Sequence, residues 1–364
     1  MVNSHDSWSK LQEVWLGDVY PASWYDHLAP EVRDCFHEIT EKTKQDLEKI
    51  QKKLESFGVK VRRPIYNNID DFLGPDERLQ KPAITPRDHC LVSGNNLFIA
   101  DGYAVSWNST VEEYRRDSSV NIVSHTKLSG ADVVRVGRDI YIDVGQHPNK
   151  QDISGKTEWA RSWFSNFDRY FSDYRVHLLA NGGHIDACFS IASPELILAN
   201  RYYDAYENTF PGWKILKVME DPEFAEYTRF RDSRSPNSNG KFWLTDAASK
   251  GKTSKAFNEH VIKHALDWVG DYTETYFETN ALSIDQHNIM LLGENQAVFR
   301  ELEKHGVTVH PVDFRTRTFW DGGMHCLTLD IRRDSAIRDY FPNRGDQRYF
   351  TYDDIPMPIE ASLL

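Results

Sequence analysis

A cysteine, a histidine and three aspartates stand beside glycine pairs or short turns in this chain, and together they could perform nucleophilic and proton-transfer chemistry. Gly322-Gly323-Met324-His325-Cys326-Leu327-Thr328 places a thiol three residues after a glycine pair, in an apolar, strand-like run. Glycine permits positive φ and close approach of a ligand, so a thiol just beyond it can face a pocket. Its thiolate is a strong nucleophile near neutral pH. Free cysteine is also commonly a small buried hydrophobe, so the reading needs a base.

Gly182-Gly183-His184-Ile185-Asp186 supplies one. On a strand, residues two apart share a face, which sets His184 beside Asp186. Imidazole can give and accept a proton near neutrality, and Asp186 could accept hydrogen bonds from a cationic ligand. Asp139, within Ala131-Asp132-Val133-Val134-Arg135-Val136-Gly137-Arg138-Asp139-Ile140, stands at a hairpin turn. Aspartate is a common turn-former, but there it could also hold an imidazole in one tautomer and stabilise its protonated form. Asp88 follows Thr85-Pro86-Arg87 just before a strand, where a plain strand-entry turn is the alternative.

Metal binding competes for the same residue types. His89, Cys90, His184, Asp186, Cys188, His325 and Cys326 include ligand types, yet no pair has a recognised zinc spacing. His184 with Cys188 would need helical rather than strand geometry. Neither a GxxxxGK loop nor a strand–GxGxxG–helix unit occurs. No metal and no cofactor is expected.

The elements that must position these residues are short and repetitive. Residues 31–58 predict one long helix, with Val32, Phe36, Ile39, Leu47, Ile50 and Leu54 at helical spacing and Gly58 as its stop, followed by a strand at 59–61. The same order returns as helix 297–305, Gly306 and strand 307–309. Paired β-rich runs flank turns at 91–93 and 97–99, 133–136 and 140–142, 187–191 and 196–198, and 281–284 and 289–292. Helical stretches are expected at 157–171 and 255–269. A repeated strand–turn–strand–helix–strand unit suggests radial repetition, which would bring residues from different units to one axis. Segments 66–81 and 232–252 read as long surface loops.

The chain has 364 residues, 13% of them aromatic, enough for a sizeable core. A net charge of −12 makes a nucleic acid an improbable partner and suits a cationic small substrate. Four widely spaced cysteines without a CxxC pair suit a reducing compartment. No apolar run approaches a membrane span, and the polar start Met1-Val2-Asn3-Ser4-His5-Asp6 lacks a signal-peptide core. A cytoplasmic protein is therefore expected, without a membrane partner. A homodimer is compatible with these residues.

Pro86-Arg87-Asp88, Arg135-Val136-Gly137-Arg138-Asp139-Ile140, Gly183-His184-Ile185-Asp186 and Gly322-Gly323-Met324-His325-Cys326 resemble, in this order, the motifs of the amidinotransferases, a family that includes glycine amidinotransferase and the inosamine-phosphate enzymes. Glu13-Val14-Trp15-Leu16-Gly17 is similar to the family's opening strand, so the likeness spans nearly the whole chain. It implies one domain over residues 1–364 with the pentein fold, an α/β propeller of five ββαβ blades with pseudo-fivefold symmetry. It further implies Cys326 as nucleophile, His184 as general acid and base, Asp139 as its orienting carboxylate, and Asp88 and Asp186 gripping a donor guanidinium. Where the family carries an arginine for the donor's α-carboxylate, this chain reads Asn200-Arg201-Tyr202-Tyr203, and a serine pair is replaced by Glu278-Thr279. Arg201, Tyr203 and Thr279 are thus the candidates for the amino-acid end of a substrate.

The activity so implied moves the amidino group of L-arginine, or a related guanidino donor, through a covalent amidino-cysteine to an amine such as glycine, in ping-pong fashion, releasing ornithine. A hydrolase of the same fold, yielding citrulline and ammonia, is the near alternative. A non-catalytic binder of guanidino ligands is the alternative of a different class.

Overall fold

Strand β1 (Leu11–Leu16) leads into helix α1 (Pro30–Ser56) and then into β2 (Lys60–Arg62). Pro30 sits in the first helical turn, where its missing N–H is not needed. The stripe of Val32, Phe36, Ile39, Leu47, Ile50 and Leu54 is buried as the spacing predicts, each large side chain contributing about 1.5–3 kcal/mol by leaving water. Gly58 follows with φ +77°, the left-handed geometry that ends the helix and turns the chain into β2. A computed structural model describes residues 1–74, 76–100, 103–126, 128–143, 162, 164–179, 184–199, 209–218, 255–269, 278–293, 295–320 and 322–350.

The remaining strands come mostly in hairpins. They are β3 (Cys90–Ser93) and β4 (Asn96–Ala100) with β5 (Asn121–Thr126), and β6 (Val133–Val136) and β7 (Asp139–Asp143) with β8 (Arg175–Leu179). Next come β9 (Phe189–Ser193) and β10 (Leu196–Ala199) with β11 (Lys214–Lys217), and β12 (Leu282–Asp285) and β13 (Asn288–Leu292) with β14 (Thr308–Val312). Finally β15 (Thr328–Arg333) and the short β16 (Tyr349–Phe350) close the described chain.

Among the described residues these strands form five small sheets on one plan: an antiparallel pair, with a third strand parallel to its second member; in one sheet the short β16 adds a fourth strand beside β8. The fifth sheet is composite. Its antiparallel pair is β15 with β1, and β2 is the parallel third strand, so segments more than 300 residues apart meet there. Parallel neighbours need a crossover of a dozen residues or more. Helix α1 and helices Asn108–Arg115 and Gln296–Lys304 provide crossovers in three of the sheets. The result is a mixed α/β fold.

The four expected hairpins are present, with one difference. Ala187 and Cys188 lie in a helical turn, Ile185–Cys188, and β9 starts only at Phe189. Helix Lys255–His264 ends earlier than the expected 269. Of the expected helix 157–171 much lies outside the described residues, and its end is a 3-10 turn, Asp168–Phe171. Loop 66–81 contains the 3-10 turn Ile69–Phe72. Loop 232–252 lies outside the described residues.

One buried ion cluster ties several sheets together. Asp330 on β15 accepts from Arg87 at 2.7 Å, from Arg135 on β6 at 2.5 Å and from Arg333 at 2.7 Å. Burial alone would raise this carboxyl, but the three guanidinium groups hold it well below the usual carboxylate range. Other donors of these groups reach main-chain carbonyls: Arg87 to His325 and Thr328, Arg135 to Val92, Arg333 to Ser9 and Ser283. Two of the motifs singled out in the sequence, those of Arg87 and Arg135, therefore meet at one carboxylate.

Candidate active site

Just before the first strand of each sheet's antiparallel pair, the chain makes a short turn, and these turns carry the candidate chemistry. Pro86–His89 precedes β3 and bears Asp88. Gly130–Asp132 precedes β6 and ends on Asp132. His184 stands at the head of Ile185–Cys188, which bears Asp186 and precedes β9. The turn at 278–280 precedes β12 and bears Thr279 and Asn280, and the turn at 324–327 precedes β15 and bears Cys326. Neither Cys326 nor His184 is on a strand. What sets His184 near Asp186 is a helical turn rather than the pleat.

The Cys326 sulfur is buried between two side chains from other sheets. Asn280 Nδ2 lies 3.0 Å from Sγ, and Asp186 Oδ2 lies 3.5 Å from it. Asn280 Oδ1 also accepts the Cys326 backbone N–H at 2.9 Å. A Cβ on Gly323 would fall 2.5 Å from the Asn280 Cβ, so the second glycine of the pair makes room for this asparagine.

Asp186 is fixed from the turn that bears Cys326. His325 Nδ1 bonds Asp186 Oδ2 at 2.7 Å. Burial and the nearby Arg87 charge depress the His325 pKa to about 4, so a neutral ring donates to an ionised carboxylate. Burial opposes that ionisation, but His325, His184 and Arg87 hold Asp186 below the usual carboxylate range. Its other oxygen, Oδ1, is buried without a hydrogen-bond partner among the described residues, and so is Asp88 Oδ1. A buried acceptor left unpaired is costly. Two such acceptors, one of them on the carboxylate that approaches the Cys326 sulfur, suit a ligand that brings N–H donors.

Asp139 requires a correction. Its Oδ1 bonds His177 and Arg344, both at 2.6 Å, and its Oδ2 bonds Arg175 at 2.6 Å. It therefore orients His177 and anchors the segment around Arg344 instead of serving His184. The reason is strand direction: Asp139 opens β7 at the hairpin turn, and the N-terminal segment packs there, with Gly137 N–H donating to the His5 carbonyl. The leading turn lies at the opposite end of β6, where the carboxylate is Asp132. Burial pushes the Asp132 pKa up to about 7, with His184 pulling it down and Asp143, Asp186 and Asp88 pushing it up. Asp132 thus shares the electrostatic surroundings of His184, Asp186 and Asp88. Sequence reading passed over it, although its place just before a hairpin matches that of Asp88.

Thr279 Oγ1 donates to the Ala187 carbonyl at 3.0 Å, linking the turn before β12 to the turn before β9. Arg201 and Tyr203 lie outside the described residues. Asn280 was also passed over, because asparagine before a strand reads as an ordinary turn residue. No group of three or more His, Cys, Asp or Glu among the described residues could hold a metal ion. Among the same residues no helix is long and apolar enough to cross a membrane.

No family model matches the chain. Over 93% of its length it is 22% identical to the mitochondrial glycine amidinotransferase of Xenopus laevis, 85% of which is covered. It is likewise 22% identical to the L-arginine:L-lysine amidinotransferase of Pseudomonas savastanoi pv. phaseolicola, over 93% of this chain and 96% of that protein. The inosamine-phosphate amidinotransferase StrB1 from Streptomyces griseus superposes with a TM-score of 0.62 at 18% identity, covering 93% of this chain and 99% of that one. In sequence and in fold, this chain is a relative of the amidinotransferases.

Proposed function

We propose that the protein is an amidinotransferase with Cys326 as nucleophile, L-arginine or a related guanidino compound as donor, and an amine such as glycine as acceptor. The five like sheets would be the blades of a pseudo-fivefold α/β propeller, with the leading turns gathered at its centre. The observation that carries the reading is the pair of unpartnered buried oxygens, Asp88 Oδ1 and Asp186 Oδ1, on the turns before β3 and β9.

A guanidinium is planar, and carboxylates bind it through paired N–H···O bonds. Asp88 and Asp186 would hold it with its carbon toward Sγ. Asp186 disfavours a thiolate while the site is empty, so the sulfur gives its proton to His184 only as the cation arrives. Sulfur then bonds to the guanidinium carbon, giving a tetrahedral intermediate. His184 protonates the donor nitrogen, the C–N bond breaks, and ornithine leaves when the donor is arginine. The amidino group stays on sulfur. An acceptor amine gives its proton to the same His184 and attacks, and the C–S bond breaks to restore the thiolate. Asp132 orients and stabilises the imidazole. Arg201, Tyr203 and Thr279 are the candidates for reading the amino-acid ends of donor and acceptor.

The test is product analysis with guanidino-labelled arginine. Without acceptor, the expectation is at most one ornithine per site and an amidino label on the Cys326 peptide. Adding a competent amine gives steady turnover. Citrulline accumulating without acceptor establishes the hydrolase instead, and arginine bound with no label on Cys326 and no product establishes the non-catalytic binder.

A further inference from the structure

Asn280 holds the sulfur in a way the proposed reaction does not yet use. Its Nδ2 lies 3.0 Å from Cys326 Sγ, its Oδ1 accepts the Cys326 N–H at 2.9 Å, and its main-chain carbonyl accepts the His325 N–H at 3.2 Å. Chemistry decides which way the amide points. A backbone N–H only donates, so the atom facing it must be Oδ1, and the atom facing sulfur is then the NH2 group, which also only donates. The reversed amide would set two donors against each other.

The sulfur therefore sits between a donor and an acceptor, Asp186 Oδ2 at 3.5 Å. A thiol satisfies both, its S–H directed to Asp186 and its lone pair facing Asn280. A thiolate keeps the Asn280 bond and is repelled by Asp186. Hydrogen bonding to the charged form favours that form, and a like charge disfavours it. The turns packed against the sulfur carry Arg87 and Asp88 before β3, His184 and Asp186 before β9, Glu278 before β12, and His325 on its own turn. Asn280 donates to the sulfur without carrying a charge, and its state does not change with pH.

We infer that Asn280 is a catalytic residue that fixes the Cys326 sulfur and stabilises its anionic form, both before attack and when the amidino group departs. Gly323 belongs to the same device, because a Cβ there would lie 2.5 Å from Asn280 Cβ and 2.6 Å from Oδ1. The inference rests on Cys326 being the nucleophile, and its test avoids amidino chemistry altogether.

Iodoacetamide alkylation forms an S–C bond and expels iodide, at a rate that follows the thiolate fraction. Mass spectrometry of digests separates Cys326 from Cys35, Cys90 and Cys188, which are also free thiols. In Asn280→Ala we expect the midpoint of the pH–rate curve for Cys326 to rise by about one unit, a roughly tenfold slower reaction at pH 7. Asn280→Asp, of the same shape but presenting an acceptor to sulfur, should raise it further. Gly323→Ala should repeat the effect from the other side. Folded Asn280 variants with the wild-type midpoint overturn the inference whatever the fate of arginine. A raised midpoint upholds it even if arginine proves inert, in which case the proposed reaction fails alone. Should the variants not fold, the wild-type protein labelled with 15N-asparagine serves. The side-chain amide resonance displaced by Cys326→Ala must titrate with the alkylation midpoint, and a resonance that stays still overturns the inference.

Discussion

His325 and Asp186 are joined at 2.7 Å, Nδ1 to Oδ2, although they belong to turns that lead into different sheets. The bond uses the carboxylate oxygen that faces sulfur and leaves the other for a ligand. A residue adjacent to Cys326 thus sets the angle of the Asp186 carboxylate.

Replacing His325 should loosen that angle. His325→Ala is expected to raise the donor KM about tenfold, the order of one charge-assisted hydrogen bond, with a smaller change in kcat. His325→Asn, which keeps a donor, should recover part of it. Steady-state kinetics checks both variants, and an unchanged KM in His325→Ala would remove the positioning role.

Cys326→Ala should abolish turnover while donor affinity, measured by calorimetry, stays within a few fold, because the proposed guanidinium contacts lie on Asp88 and Asp186. Measurable turnover in this variant would reject the covalent route.

Asp132 and Asp139 should separate cleanly. Asp132→Asn is expected to lower kcat by about 10³–10⁴-fold with the fold retained, the cost of leaving a catalytic imidazole without its carboxylate. Asp139→Asn should cost about 3–5 kcal/mol of stability in chemical unfolding, because the one buried carboxylate charge that both Arg175 and Arg344 share is lost, leaving Arg175 with Asp339. Wild-type kinetics in Asp132→Asn, or wild-type stability in Asp139→Asn, would reverse the assignment.

Acid should weaken the fold well above the carboxylate range. His177 and His325 are buried, and that burial, with arginines nearby, depresses both to about 4. Unfolded histidine takes up its proton near pH 6.5, whereas these two do so only near 4. Stability is therefore complete above about pH 6.5 and falls as pH drops from there toward 4, by on the order of 3 kcal/mol per histidine. Urea midpoints at pH 7, 5.5 and 4.5 measure this. His177→Gln should flatten the slope, and equal midpoints at pH 7 and 4.5 would refute the assignment.

Long periodic segments were legible in the sequence, and so were hairpins bounded by turn residues. Helix α1 and the β6–β7 pair fall within a residue or so of their expected limits. What the sequence concealed is short. The helical turn Ile185–Cys188 is four residues long, less than the window over which a period can be seen. The roles proposed for Cys326, His184, Asp88 and Asp186 were suggested by type and motif. Choosing between Asp132 and Asp139 required knowing which end of a four-residue strand faces the thiol, and such a strand spans about 13 Å. Asn280 gave no signal of its own, since its role exists only in its approach to a residue 46 positions away.

The composite sheet has a kinetic meaning. Cys326 stands two residues before β15, and β15 finds its antiparallel partner only in β1, more than 300 residues earlier. Pairings of such long range form slowly, because the intervening chain must first be ordered. The reactive centre should accordingly mature in the last phase of refolding, with protection of the β1 amides and regain of turnover sharing one time course, and no partly folded species should catalyse the reaction.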